Sequence, residues 1–258
     1  MMVLSTLTIA AGVALLLAVS CIAFVRRGMR WGATPEECAM QMTGDAYLDA
    51  GPAVRTAMTR AISIAAPPEI VWPWLAQLGR GAGWYSIDRL DNGGKISARH
   101  IVSWIPAPQP GDATAIGYLR HIEAGRELAW WANGVRFFGA TARLVTGIRL
   151  QPQGNGSRLV IRMSADAAGF TARLAIWIFQ FIDTIMARRQ LLGIKERVEQ
   201  YGARTADPDR PETGARDQYQ LYEIIYASGE SAGVRGKELA THWRQAAIED
   251  GVVDELVR

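Results

Sequence analysis

Residues 59–79 read TRAISIAAPPEIVWPWLAQLG, and the order of signals inside them decides the fold. Thr59 to Ala66 alternates bulky and small side chains with a period of two, as a strand with one buried face does. Pro67-Pro68 ends that strand, because proline donates nothing to a ladder, and its fixed φ suits the first turn of a helix. The helix is expected over Glu69–Leu78, carrying Trp72 and Trp74, with Pro73 removing one backbone bond and kinking it. The domain therefore opens strand, then helix.

Moving outward, Gly79-Arg80-Gly81-Ala82-Gly83 looks like the start of a dinucleotide fingerprint. That motif must follow a strand so that helix amides face a pyrophosphate, and here it follows a helix. Gly233–Lys237 (GVRGK) fails as a phosphate loop as well, with Ser231 in place of the first glycine and Glu238 where Ser or Thr would meet magnesium. Both read as turns.

A short helical turn is expected over Tyr85–Leu90, then a loop over Asp91–Ile105. Strands follow at Asp112–Arg120, His121–Glu123, Leu128–Ala132, Val135–Thr146, Gly147–Gln151 and Ser157–Ala165. Turn signals at Glu123-Ala124-Gly125, Asn133-Gly134 and Gln153-Gly154-Asn155-Gly156 separate several of them, which describes an antiparallel meander. Phe170–Tyr201 is a long helical pattern whose only glycine is Gly193. Arg173, Gln180 and Asp183 make it too polar for a membrane span, so it is expected to pack along the sheet. Were a second membrane contact to exist, its candidate is Leu174–Met186.

Towards the amino terminus, Trp31–Arg55 is a turn-rich lead-in with a short helix expected where Thr34 caps Pro35-Glu36-Glu37. Before it, Val3–Val25 carries no charge and is long enough to cross a bilayer core of about 30 Å. Arg26, Arg27 and Arg30 follow the run and nothing basic precedes it. That pattern argues for an inner-membrane anchor rather than a cleaved signal, and it opposes the faint lipoprotein look of Val19-Ser20-Cys21. It also places the amino terminus outside and the remainder in the cytoplasm. At the other end, a polar linker from Gly202 leads to two helical patterns, Tyr219–Ala227 and Lys237–Leu256. Tyr219, Tyr222 and Tyr226 recur at helical spacing, either covering an edge of the domain or docking a partner.

Composition removes several classes of function. The 258 residues are 49% hydrophobic, enough for a sizeable core, and 28 basic against 25 acidic residues leave a net charge of only +3. That balance is far from the dense positive patch that nucleic acid requires. Cys21 and Cys38 are too few for a disulfide framework or a cysteine zinc site, and no metal or cofactor is expected. His100, His121 and His242 lie in no recognisable nucleophile setting. Asp88, set among Trp84, Tyr85 and Ile87 with Arg89 beside it, is a candidate acid or base, with Tyr85 or a histidine as the alternatives.

The order strand, proline-started helix, short helix, meander and long helix, with the words TRAISIAAPPEIVWPWLAQLG, GWYSIDRLDN (83–92) and LLGIKERVE (191–199), resembles the SRPBCC superfamily. This is the START-like or polyketide cyclase/dehydratase group, and the likeness runs from about Trp31 to Tyr201. The resemblance implies an α+β helix-grip fold, a curved antiparallel sheet wrapped around a long C-terminal helix, here with a transmembrane helix before it and a helical tail after it. It divides the chain into an anchor and basic flank (1–30), the helix-grip domain (31–202), and a linker and tail (203–258). It also implies a cavity between sheet and helix that takes sterols, lipids, polyketides or other hydrophobic molecules. In that reading Trp84 and Tyr85 form a lip over the cavity, and Trp130, Trp131, Phe137 and Phe138 supply aromatic surface, of which strand alternation lets only some face inward. Arg120, Arg136 and Asp88 would meet polar parts of the ligand. Three functions stay open: a tethered module that binds or transfers a hydrophobic ligand, an accessory subunit of a membrane complex contacted through anchor and tail, and a cyclase- or dehydratase-type enzyme.

Overall fold

The computed structural model describes residues 2–48, 54–92, 96–103, 105–114, 116–202 and 233–253. Helix α1 (Met2–Gly28) is followed by α2 (Pro35–Ala39), β1 (Val54–Ile64), α3 (Pro68–Ala76) and α4 (Asp88–Asp91). Then come β2 (Ala113–Thr114), β3 (Gly117–Glu123), β4 (Glu127–Phe137), β5 (Ala140–Gln153), β6 (Gly156–Ala168), α5 (Ala172–Tyr201) and α6 (Gly233–Glu249). The six strands form one antiparallel sheet in the order β1-β6-β5-β4-β3-β2, so the first strand pairs with the last. The protein is α+β, with α5 packed against β1, β6 and β5.

Most expected elements fall within a few residues of their places. Thr34 accepts from the Glu37 amide at 3.2 Å while its own amide donates to the Glu37 carboxylate at 2.8 Å, a reciprocal cap on α2. Pro68 opens α3 and Pro73 lies inside it. One turn is misplaced by the sequence reading. Asn133-Gly134 is not a hairpin turn but part of an irregularity within β4, where the register shifts between Ala132 and Val135. The chain instead reverses at Phe138-Gly139, both at positive φ (47° and 76°). The segment expected as one strand over Val135–Thr146 is thus the end of β4, a turn and the start of β5, and Gly147–Gln151 continues β5. The helix expected over Lys237–Leu256 is α6, while Tyr219–Ala227 lies outside the described residues.

The sheet's inner face meets α3 and α5. Leu128 and Trp130 of β4, Ile148 and Leu150 of β5, and Leu159 and Ile161 of β6 pack there with Trp74, Leu191 and Ile194. The lead-in segment covers the outer face. Met42 packs on Ala61 and Val160, and the buried Arg162 ties the segment down by donating to the carbonyls of Glu37, Cys38 and Met40 and to the Asp45 carboxylate. Arg158 grips both oxygens of Glu37, at 2.7 and 2.8 Å. This guanidinium holds the Glu37 carboxyl below the usual carboxylate range.

Helix α6 lies against β2 and β3. Trp243 and Ala247 join Leu48, Tyr118, Trp131 and Val145 in a second cluster. Asp250, just past the helix, accepts from the Tyr118 hydroxyl, from Trp131 Nε1 at 3.1 Å and from Arg120 at 3.3 Å. Burial pushes the Tyr118 hydroxyl well above its ordinary pKa, and the bond to Asp250 pushes it further.

Candidate functional site

The stretch after α3 turns the chain back under the sheet. Tyr85 sits at φ 59°, a left-handed conformation that a bulky side chain adopts only when its surroundings enforce it. Here they do. Its hydroxyl accepts from Gln77 Nε2 at 2.6 Å, its amide donates to Ser97 Oγ at 3.2 Å, and its ring meets Trp74 edge-on at 5.9 Å. The Arg197 guanidinium lies 4.7 Å above the same ring. The one glycine of α5 explains itself at this contact: a Cβ on Gly193 would fall 2.0 Å from the Tyr85 carbonyl oxygen. Trp84 meets Trp130 edge-on at 6.2 Å.

The expected lip is therefore closed core. Trp84 is 6% exposed and Tyr85 1%, both within the main cluster between sheet and α5. The glycine run that precedes them does turn the chain tightly, but into packing rather than to a rim. Asp88 begins α4 and is held by Ser97, whose Oγ and amide donate to it at 2.5 and 3.2 Å. Neighbouring Asp91 is the carboxyl that burial pushes up, with the Asp88 charge adding to the effect. Tyr85 and Asp88, the acid–base candidates, thus belong to a packed region.

An opening exists at the other end of the same interface. Beside the first half of α5 the sheet presents Ala142, Leu144, Ala165 and Ala167, and the helix presents Ala175, Ile176 and Phe179. Ladder pairs explain the space: Ala142 faces Ala167 and Leu144 faces Ala165, so small side chains sit together on one floor. The result is a cavity of about 420 Å³, within the range of small-molecule sites. Val135 and Phe137 wall it on the β4 side, with Ile116, His242 and Trp243 beyond them.

Polar groups on this cavity are few. Arg136 lies on its wall, exposed, and makes no ion pair among the described residues. The buried Trp243 indole N–H has no hydrogen-bond partner among the described residues. Its ring lies 4.7 Å from that of His242.

Of the eight residues singled out in the sequence, Arg136 lines the cavity and Phe138 stands at the hairpin tip next to it, 58% exposed. Trp84, Tyr85 and Trp130 fill the opposite half, with Asp88 beside them. Strand alternation sends Trp131 to the other face, where Arg120 stacks over it at 5.7 Å and over Tyr47 at 4.7 Å while bonding Asp250. His121 gathers with Glu123 and Glu127, but the Glu127 oxygens are taken by Arg149 and Thr43.

No protein-family model and no curated protein matches the chain. Among solved structures, DynU16 of the dynemicin biosynthetic locus matches at 16% identity over 55% of this chain and 47% of its own, with TM-score 0.34. The chain thus spans about half the length of that protein. An AHSA1-like protein from Rhizobium etli matches at 18% identity over 64% of this chain and 94% of its own, with TM-score 0.33. A protein from Nitrosomonas europaea matches at 14% identity over 56% and 94%, with TM-score 0.35.

Proposed function

We propose that this protein is a membrane-tethered, cytoplasmic module that holds a hydrophobic molecule between its sheet and α5. The observation that carries the reading is the alanine-floored cavity of about 420 Å³. An apolar wall with a few polar groups is how proteins orient small apolar ligands. Here the polar groups are Arg136, the Trp243 N–H and His242, two of them donors only, so the ligand carries an acceptor such as a carbonyl, carboxylate or phosphate at one end. Tethering rests on α1, whose stretch Ile9–Gly28 is long and apolar enough to span a bilayer.

The test is extraction of the full chain in mild detergent, followed by mass spectrometry of the organic extract. An apolar molecule in near-equal amount to protein is expected from the parent and not from Ala167→Leu, which fills the floor. An empty parent, or equal recovery from both proteins, overturns the reading.

A further inference from the structure

The first half of α5 has two faces. One lines the cavity through Ala175, Ile176 and Phe179. The other is turned outward and is apolar: Leu174 is 55% exposed and Trp177 41%, followed by exposed Ile182 and Ile185. Between Phe170 and Ala187 the chain holds two charged residues, Arg173 and Asp183, and Asp183 is buried against Arg60 at 2.5 Å. Exposed Phe170 precedes the helix. Next to it stands the β4–β5 hairpin tip, where a Cβ on Gly139 would touch Thr171 Oγ1 at 3.4 Å and exposed Phe138 projects. A patch of this kind on a water-soluble surface normally marks a docking site.

The end of α1 is fixed against this helix. Gly28 packs so closely on Thr184 that a Cβ would lie 2.0 Å from its methyl group. The Gly28 carbonyl accepts from the buried Arg60 at 2.7 Å, and the ring of Phe24 meets that of Phe181 at 6.0 Å. Ile22 and Val25 share a groove of about 600 Å³ with Trp177 and Gln180, rimmed by Arg26 and Arg30. These pairs advance together along both chains, from Ile22 with Trp177 to Gly28 with Thr184, so the two helices run the same way where they meet. Going back from Trp177 to Leu174 and Phe170 therefore follows α1 back from its basic end toward its apolar span.

We infer that the outward face of α5 from Phe170 to Ile185, together with Phe138, meets the bilayer that α1 crosses, so that the ligand cavity opens beside lipid. This rests on the tethered reading above. Continuity with the α1 span selects a lipid surface as the occupant, and charge supports it. Arg26 and Arg30 at the groove, with Arg173 and Arg136 nearby, suit anionic headgroups, while Trp177 and the phenylalanines suit the boundary between headgroup and acyl chain.

The test uses the full chain in vesicles of phosphatidylethanolamine and phosphatidylglycerol, with Cys21→Ser and Cys38→Ser as background. Single cysteines replace Leu16 in the anchor, Phe170 and Leu174 on the patch, and Glu123 at the end of β3, each carrying an environment-sensitive fluorophore. Lipid-borne nitroxide is expected to remove most emission at positions 16, 170 and 174, and aqueous iodide at 123. Quenching of 16 by nitroxide but of 170 and 174 by iodide overturns the inference and leaves the anchor standing. Quenching of 16 by iodide overturns the anchor and the inference together. Should a labelled variant misfold, native fluorescence gives the same answer: brominated lipid must quench the parent more than Trp177→Phe, and equal quenching overturns the inference.

Discussion

One helix and one sheet enclose two unlike spaces. Along Leu191–Val198, α5 faces indoles and a phenol from the chain after α3, and Trp74, Trp84, Tyr85 and Trp130 leave almost no surface exposed. Along Ala172–Phe179 the same helix faces alanines, and a cavity remains. Backbone geometry is common to both halves, so side-chain volume makes the difference. The filled half turns apolar burial into stability. The open half gives up contacts that close packing would supply, an unfavourable arrangement in the absence of an occupant.

The comparison breaks most readily at the filled end. Trp84→Ala and Tyr85→Ala should each cost about 3 to 5 kcal/mol of unfolding free energy, the range for truncating a buried large aromatic. Denaturant titration of the folded domain measures it. A loss near zero for either variant would mean that the two halves are alike.

The tail forms a third region, and its contact with the outer cluster can be tested separately. Asp250→Ala leaves the Tyr118 hydroxyl, the Trp131 N–H and Arg120 without their shared acceptor. A cost of about 1 to 3 kcal/mol is expected for buried donors left unmet, read by thermal denaturation. No change would mean that α6 rests on the sheet without contributing to it.

Much of this arrangement was legible in the sequence. Pro67-Pro68 fixed the strand-to-helix transition, period-two alternation marked the strands, and Gly193 stood out as the one interruption in a long helix. The Asn133-Gly134 signal misled because that pair suits a hairpin turn, yet the ladder demanded more residues on β4 before the reversal. Phe138, which makes the turn, has no turn propensity of its own. The cavity's place along the interface was hidden for a different reason. Ala142 and Ala167 are unremarkable until the β5–β6 register sets them opposite each other, and a small residue signals a void only when its neighbours are known. Tyr85 and Trp84 were legible as aromatic surface, but period and composition cannot distinguish a lining from a core. Asp250 gave no signal, since its three donors come from β3 and β4.

Acid should loosen the outer face before the inner one. The folded pKa of Glu37 lies below its unfolded value of about 4.3, so its pair with Arg158 contributes fully at pH above that value. The contribution is lost as pH falls through the folded pKa. Glu37→Gln should cost about 1 kcal/mol at neutral pH and converge with the parent in acid, as urea titrations across pH would record. A gap that persists below the folded pKa would assign the cost to packing instead.

At the open end, enlarging a side chain should reverse the usual order of consequences. Ala167→Leu adds methylenes where space exists, so the change in stability should stay within about 1 kcal/mol, whereas the same insertion in a packed core costs about 1 to 3 kcal/mol. Ligand recovery should fall sharply. A large destabilisation would show that the floor is already filled.

The smallest structural effect and the most specific functional one are expected at Arg136. Its side chain is exposed, without an ion pair among the described residues, on the wall of the cavity. Arg136→Ala should therefore leave the unfolding free energy within about 0.5 kcal/mol of the parent, as for surface positions without special contacts. If the guanidinium meets an anionic head, Arg136→Ala weakens capture of fatty acid while Arg136→Lys, which keeps the charge but not the planar fork, retains part of it. An uncharged alkyl alcohol of equal chain length should bind parent and variant alike. Equal loss for both probes would assign Arg136 to the shape of the wall, and equal retention of both would remove it from the site, leaving the Trp243 N–H as the polar group that orients the ligand.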